Sequence, residues 1–138
     1  MTREVSRLLV ANRGEIALRV MRTAHEMGIE TIAIYGDGEE NARHVKYATE
    51  AWRIGEGDGL PYLRIPQIVD IAKRANADAV HPGYGFLAEN AHFVRAVQEA
   101  GIVFIGPTAE SMEQLGDKIT ARKVALKAGV PPVPGTSE

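Results

Sequence analysis

Short runs of unbroken apolar residues, separated by stretches of helical periodicity, constrain what this chain can fold into more than any other feature. Arg7 to Ala11 contains Leu8, Leu9 and Val10, and Glu30 to Tyr35 contains Thr31, Ile32, Ala33 and Ile34. Ala77 to His81 and Ile102 to Ile105 are similar, and Trp52 to Ile54 is a weaker, shorter case. A strand with one wet face alternates apolar and polar residues, so a continuous apolar run implies burial on both faces. The intervening segments supply the cover. From Glu15, the residues Ile16, Val20, Ala24 and Met27 recur on one side of a helix that stops at Gly28, with Glu15, Arg19, Arg22 and Glu26 on another. Glu39 to Ala51 reads as a short helix. Ile65, Ile68, Val69, Ile71 and Ala72 mark a further helix with Pro66 in its first turn, and Ala91 to Ala100 another that ends at Gly101.

Strand and helix alternating in this way predict an α/β fold with a doubly wound, mostly parallel, Rossmann-like sheet. After Gly106-Pro107 the pattern changes to two helices with no strand between them, Thr108 to Leu115 and Asp117 to Ala128, capped by Thr108 and Asp117. The expected organisation is a domain over residues 1–107 and a helical extension and linker over 108–138. At 138 residues the chain can bury a core without staples. It has no cysteine, which excludes a disulfide framework, a zinc–thiolate site and a thiol nucleophile. A net charge of −2 with both signs interspersed offers no basic stripe for nucleic acid, and no apolar run is long enough for a membrane span. Residues 1–7 carry no signal-peptide core, and a cytoplasmic location is expected.

Candidate chemistry concentrates in Ala77 to Asn90. Pro82 ends an apolar strand, and Gly83 and Gly85 then flank Tyr84, a sequence able to turn sharply and leave N–H groups pointing outward. Loops at the carboxyl ends of strands in open α/β sheets are where ligands bind. The same residues also read as a tight strand-to-helix turn with Asn90 as the helix N-cap. Asn12-Arg13-Gly14-Glu15-Ile16-Ala17 matches a dinucleotide fingerprint except at the first glycine, with Asp37 as the acidic residue after the second strand. Arg13 and Glu15 would crowd a pyrophosphate, and the charge of Glu15 would repel it. There is no P-loop. His25, His44, His81 and His92 lack zinc-ligand spacing, and His81 alone falls near the proposed crevice. Lys118 follows Gly116-Asp117 at a helix start, a place suited to phosphate and equally to an ordinary exposed lysine. The stripe of Glu15, Arg19, Arg22 and Glu26 reads as a solvated face, or as a self-complementary surface about a two-fold axis. Trp52 and Tyr62 read as packing against the sheet.

Leu9-Val-Ala-Asn-Arg-Gly-Glu-Ile-Ala-Leu-Arg19, His81-Pro-Gly-Tyr-Gly-Phe-Leu-Ala-Glu-Asn90, Phe104-Ile-Gly-Pro107, and Gly116-Asp-Lys118 with Ala128-Gly-Val-Pro131 appear in an order and spacing that span the chain. Together they resemble the biotin carboxylases, found as subunits of acyl-CoA carboxylases and as the first module of pyruvate carboxylase. The resemblance implies the amino-terminal, pre-ATP-grasp domain. Enzymes of this family use MgATP to activate bicarbonate as carboxyphosphate and then carboxylate N1 of biotin on a carrier domain. It implies that Lys118 contacts ATP phosphates, that Tyr84 and Glu89 line the bicarbonate and biotin end of the cleft with Gly83 and Gly85 supplying backbone, and that Arg22 and Glu26 sit at a homodimer contact.

ATP, Mg2+ and biotin would serve the full-length enzyme, with none held tightly by this piece and no metal site within it. The implied partners are the ATP-grasp remainder of the same enzyme, a biotin carrier domain, a carboxyltransferase and a second copy. A eukaryotic parent would place it in the mitochondrial matrix after loss of a transit peptide. Ala88 stands where the family usually has Ser and Thr49 where it usually has Asp, and the loop from Gly55 to Pro61 looks shortened. The ATP loop, metal carboxylates and acid/base residues of the family would lie downstream, so the chain alone is expected to be inactive. The choice of final acceptor, pyruvate or an acyl-CoA, would belong to another domain. A free-standing nucleotide-binding module and a structural or dimerising domain are the alternative readings.

Overall fold

Arg7–Val10 forms β1, the middle strand of the sheet, and both of its edges are occupied. On one side it pairs in parallel with β2 (Glu30–Tyr35), and on the other with β4 (Ala79–His81). Leu9 lies opposite Ile32 and Val80 in the two ladders, and all three are fully buried. β3 (Glu50–Arg53) and β5 (Val103–Phe104) complete a five-stranded parallel sheet of order β3-β2-β1-β4-β5. The computed structural model describes residues 4–116 and 127–129.

The helices divide between the two faces. α1 (Gly14–Glu26) packs beside α2 (Arg43–Tyr47) and buries Ala17, Met21 and Ala24 against Leu8, Val10, Ala33 and Ala79. On the other face α3 (Ile65–Arg74), α4 (Ala91–Glu99) and α5 (Ala109–Gly116) bring Ile68, Ile71, Phe93, Val94, Val97 and Met112 onto Leu9, Ile32, Ile34 and Val80. Successive strand residues point to opposite faces, which is why Leu8 and Val10 join one cluster and Leu9 the other. The doubly wound, parallel arrangement agrees with the strand-by-strand reading of the sequence.

Several boundaries differ. β3 begins at Glu50 rather than Trp52, and Ile54 lies just past its end, its N–H donating to the Tyr35 carbonyl at 2.8 Å. β4 and β5 are shorter than their apolar runs. The larger difference is the buried stripe of α1, which is Ala17, Leu18, Met21 and Ala24 rather than Ile16, Val20, Ala24 and Met27. Ile16 and Val20 are half-buried, and Met27 is 70% exposed. The small side chains of Ala17 and Ala24 let the helix lie close to the sheet, so proximity rather than side-chain size selects the inner face. Neither Glu15 with Arg19 nor Arg22 with Glu26 closes to an ion pair among the described residues. Thr108 caps α5 as expected, its hydroxyl accepting the Ser111 N–H at 3.1 Å. The second expected helix, Asp117 to Ala128, falls largely outside the described residues.

The amino-terminal pole of the sheet is closed by charge. Arg7 pairs with Glu30 at 2.6 Å and with Glu50, and its Nε and Nη2 donate to the Ala75 carbonyl at 3.0 and 2.8 Å. Asp78 Oδ2 accepts the N–H groups of Ser6 and Arg7, both at 2.8 Å. Burial of β1 sets the stability of the whole sheet: Leu9→Ala is expected to cost about 2–5 kcal/mol by urea denaturation. Leu60→Ala, at a residue 59% exposed, is expected to stay within about 0.5 kcal/mol.

Candidate functional site

Strand order reverses between β1 and β4, because the chain winds outward from β1 through β2 to β3 and then crosses to β4 and β5. The carboxyl ends of two neighbouring strands whose connections lead apart leave a crevice between them. The turn after β1 (Asn12, Arg13, Gly14) and the loop after β4 (Pro82 to Asn90) meet there.

The loop is shaped by its backbone. Gly83 and Gly85 have φ of 66° and 70°, in the left-handed region that residues with a Cβ avoid. A Cβ at Gly83 would lie 2.7 Å from Asn12 Nδ2 and 2.8 Å from Ile16 Cγ2, whereas one at Gly85 would meet nothing within 4 Å. Gly83 therefore lies flush on the first turn of α1, and Gly85 faces open space. Between them Tyr84 is 78% exposed. Phe86 has φ of 43° and stacks on the buried Tyr62 with ring centroids 5.1 Å apart, while Leu87 is buried. Glu89 is exposed, and Asn90 caps α4 by accepting the Phe93 N–H at 3.0 Å. The reading of this segment as a capped turn thus applies, and its glycines also hold an aromatic out in solvent.

Asn12 is 1% exposed. Its Nδ2 donates to the carbonyls of Pro82 at 2.9 Å and Tyr84 at 2.7 Å, and its Oδ1 accepts the Arg13 N–H at 2.8 Å. His81 Nδ1 accepts the Gly83 N–H at 3.0 Å. Burial holds the His81 imidazole below its ordinary pKa, and the bond from Gly83 uses the lone pair of the unprotonated ring. A groove of about 460 Å³ between α1 and the loop is lined by Glu15, Ile16, Arg19, Val20, His81, Gly83 and Tyr84.

Of the residues singled out in the sequence, Gly83, Tyr84, Gly85 and Glu89 share this loop. Arg22 and Glu26 lie on the exposed side of α1, and Lys118 is outside the described residues. Sequence reasoning treated Asn12 as an imperfect fingerprint glycine. In the structure the left-handed residue of that turn is Gly14, with φ of 64°, and Asn12 uses its side chain instead. The signal was a carboxamide directly after a buried strand, where an unpartnered polar group would be costly. Tyr62 was read as packing, which it does, but it also seats Phe86 and donates to the Ile34 carbonyl at 3.3 Å.

The fingerprint itself is filled by acids. Arg13 Nε pairs with Glu39 at 3.1 Å, Glu15 occupies the first turn of α1, and Asp37 is bound by Arg53 at 2.6 Å. Among the described residues no group of three His, Asp or Glu side chains could hold a metal ion.

Residues 4–112 match the family described as biotin carboxylase, N-terminal domain. The chain belongs to that family. The chain is 54% identical over 130 residues to the 2-oxoglutarate carboxylase small subunit of Hydrogenobacter thermophilus, covering 94% of this chain and 28% of the relative. It is 52% identical over 134 residues to human mitochondrial pyruvate carboxylase, covering 96% of this chain and 11% of that one. The solved biotin carboxylase domain dimer of the Hydrogenobacter thermophilus 2-oxoglutarate carboxylase, in complex with MgADP, ADP and bicarbonate, superposes with a TM-score of 0.91. It is 52% identical, and the match covers 98% of this chain and 30% of that one. The chain spans between 11% and 30% of the length of these relatives.

Thr49 and Ala88 make local hydrogen bonds. Thr49 Oγ1 accepts the Thr31 N–H at 2.9 Å, and the Thr49 N–H donates to Thr31 Oγ1 at 3.2 Å, so the two threonines bond reciprocally. At Ala88 the backbone N–H donates to the Gly85 carbonyl at 2.8 Å without help from a side chain.

The His81 geometry predicts a pH effect with a definite sign. Its pKa is lower folded than unfolded, so its contribution to stability is complete above the ordinary value of 6.5 and is lost as pH falls from there through the folded value. An NMR titration of the His81 ring is expected to give a midpoint below 6.5. The Gly83 amide resonance is expected to shift over the same range.

Proposed function

We propose that this domain forms one wall of the cleft in which a complete biotin carboxylase uses MgATP and bicarbonate to carboxylate biotin presented by a carrier domain. The observation that carries this reading is Tyr84, held out in solvent between two left-handed glycines at the sheet's switch point. An exposed ring with a polar tip offers a ligand both an apolar face and a hydrogen-bonding group. Gly85, open on the side where a Cβ would stand, lets a ligand approach the main chain, and Glu89 adds a carboxylate to the same rim. These features fit a small, polar, partly planar group such as the ureido ring of biotin.

MgATP, when bound, supplies the phosphoryl group that activates bicarbonate. Lys118 is proposed as a point charge for its phosphates, and the metal ligands are assigned to the ATP-grasp remainder downstream. The division at residue 107 belongs to the same reading. Arg22 and Glu26, exposed on α1 with no ion pair among the described residues, are proposed to meet the opposite charges of a second copy across a two-fold axis. The dimeric relative supports this assignment. The carrier domain and the carboxyltransferase follow as partners.

The reading separates the isolated domain from the complete enzyme. The isolated chain is expected to hydrolyse ATP no faster than its Lys118→Ala variant, and turnover above that control would overturn the assignment of the chemistry to the remainder. In the complete carboxylase, Tyr84→Ala is expected to raise KM for free biotin about tenfold, equivalent to about 1.4 kcal/mol, with KM for ATP unchanged. Arg22→Glu is expected to lower the sedimentation coefficient of the complete enzyme and leave that of the isolated domain unaltered. Adding Glu26→Arg is expected to restore it.

A further inference from the structure

We infer that Asn12 is the positioning residue for Tyr84 and so controls engagement of the carboxyl-accepting substrate; this rests on the cleft reading above. Tyr84 is 78% exposed, so little packing fixes its ring, and its place depends on its own backbone. Two carbonyls bracket that backbone, those of Pro82 and Tyr84, on either side of Gly83. Both are bound by the single Nδ2 of Asn12, at 2.9 and 2.7 Å. The φ of 66° at Gly83 turns both carbonyls toward one donor, and the missing Cβ lets the peptide lie against the carboxamide.

The chemistry of position 12 is narrow. The group must donate twice from one atom, accept once from the Arg13 N–H, and stay short enough to fit beneath the loop. Serine donates only once, and glutamine is a methylene too long. An ionised aspartate would set lone pairs against two carbonyls. Asparagine meets all three demands, and both Nδ2 hydrogens are consumed. Because Asn12 follows Ala11, whose N–H donates to the His81 carbonyl at 2.9 Å, the carboxamide is fixed to the rigid centre of the sheet. The loop therefore takes its position from β1.

A double-mutant cycle in the complete carboxylase tests this. Asn12→Ala, Tyr84→Ala and the pair are assayed for KM of free biotin and KM of ATP, at a temperature where circular dichroism shows all variants folded. Asn12→Ala is expected to raise KM for biotin about fivefold, no more than Tyr84→Ala does, with KM for ATP within twofold. The pair is expected to be no worse than Tyr84→Ala alone, because Asn12 acts through that residue. Asn12→Asp, which keeps the shape and guards against a misfolded alanine variant, is expected to show a biotin KM that approaches the unsubstituted enzyme's at the same pH as pH is lowered. There a protonated carboxyl regains one donor.

Multiplicative effects in the cycle, or equal rises in both KM values, would assign Asn12 a purely structural role and overturn the inference. If Tyr84→Ala alone leaves KM for biotin unchanged, the cleft reading fails, and this inference with it. If Tyr84→Ala acts while Asn12→Ala and Asn12→Asp do not, only the positioning role fails.

Discussion

The parallel pairing of β1 with β2 on one side and β4 on the other is the constraint from which the rest of the molecule follows. A strand paired on both edges and covered on both faces must be apolar throughout, as Leu8, Leu9 and Val10 are. It also forces the chain to wind away from it in two directions, which fixes where the crevice opens. Everything the site uses leaves the carboxyl ends of those paired strands: Asn12 after β1, and His81, Gly83 and Tyr84 after β4. The local chemistry is therefore a consequence of topology before it is a consequence of any single side chain.

The order and type of the elements were legible because burial on both faces leaves an unambiguous mark in a strand. The loop was legible too, since two glycines around an aromatic waste a side chain that a core would use. What the sequence hid was anything decided by closeness. The inner stripe of α1 is built from alanines, which carry little hydrophobic signal, while the larger Ile16, Val20 and Met27 sit toward the rim. Asn12 was obscured for a related reason. Its role depends on two carbonyls roughly seventy residues away in sequence, and nothing adjacent to it in the chain reports their presence. The fingerprint comparison pointed to the right turn and to the wrong property of its first residue, backbone freedom in place of side-chain donors.

Thr31 and Thr49 are joined by a reciprocal pair of hydrogen bonds between β2 and the residue before β3. Thr31 is fully buried in β2 between a helix and the edge of the sheet, and its hydroxyl contacts His25 Nε2 at 2.8 Å as well as the Thr49 N–H. His25 in turn stacks on Tyr47 with centroids 4.8 Å apart. These contacts tie the exposed Thr49 to the buried Thr31 and so fix the start of β3 against β2.

The charged clamp at the opposite end of the sheet has its own implication. Arg7, Glu30, Glu50 and Asp78 gather β1, β2, β3 and the approach to β4 at the pole farthest from Tyr84. Among the described residues, the clamp's hydrogen bonds and ion pairs reach none of the residues of the Tyr84 loop. Drift in sequence at the clamp can thus adjust how tightly the strands are gathered while the loop around Tyr84 stays as it was. A lineage moving to a hotter or saltier habitat has a place to adapt that leaves the opposite pole alone.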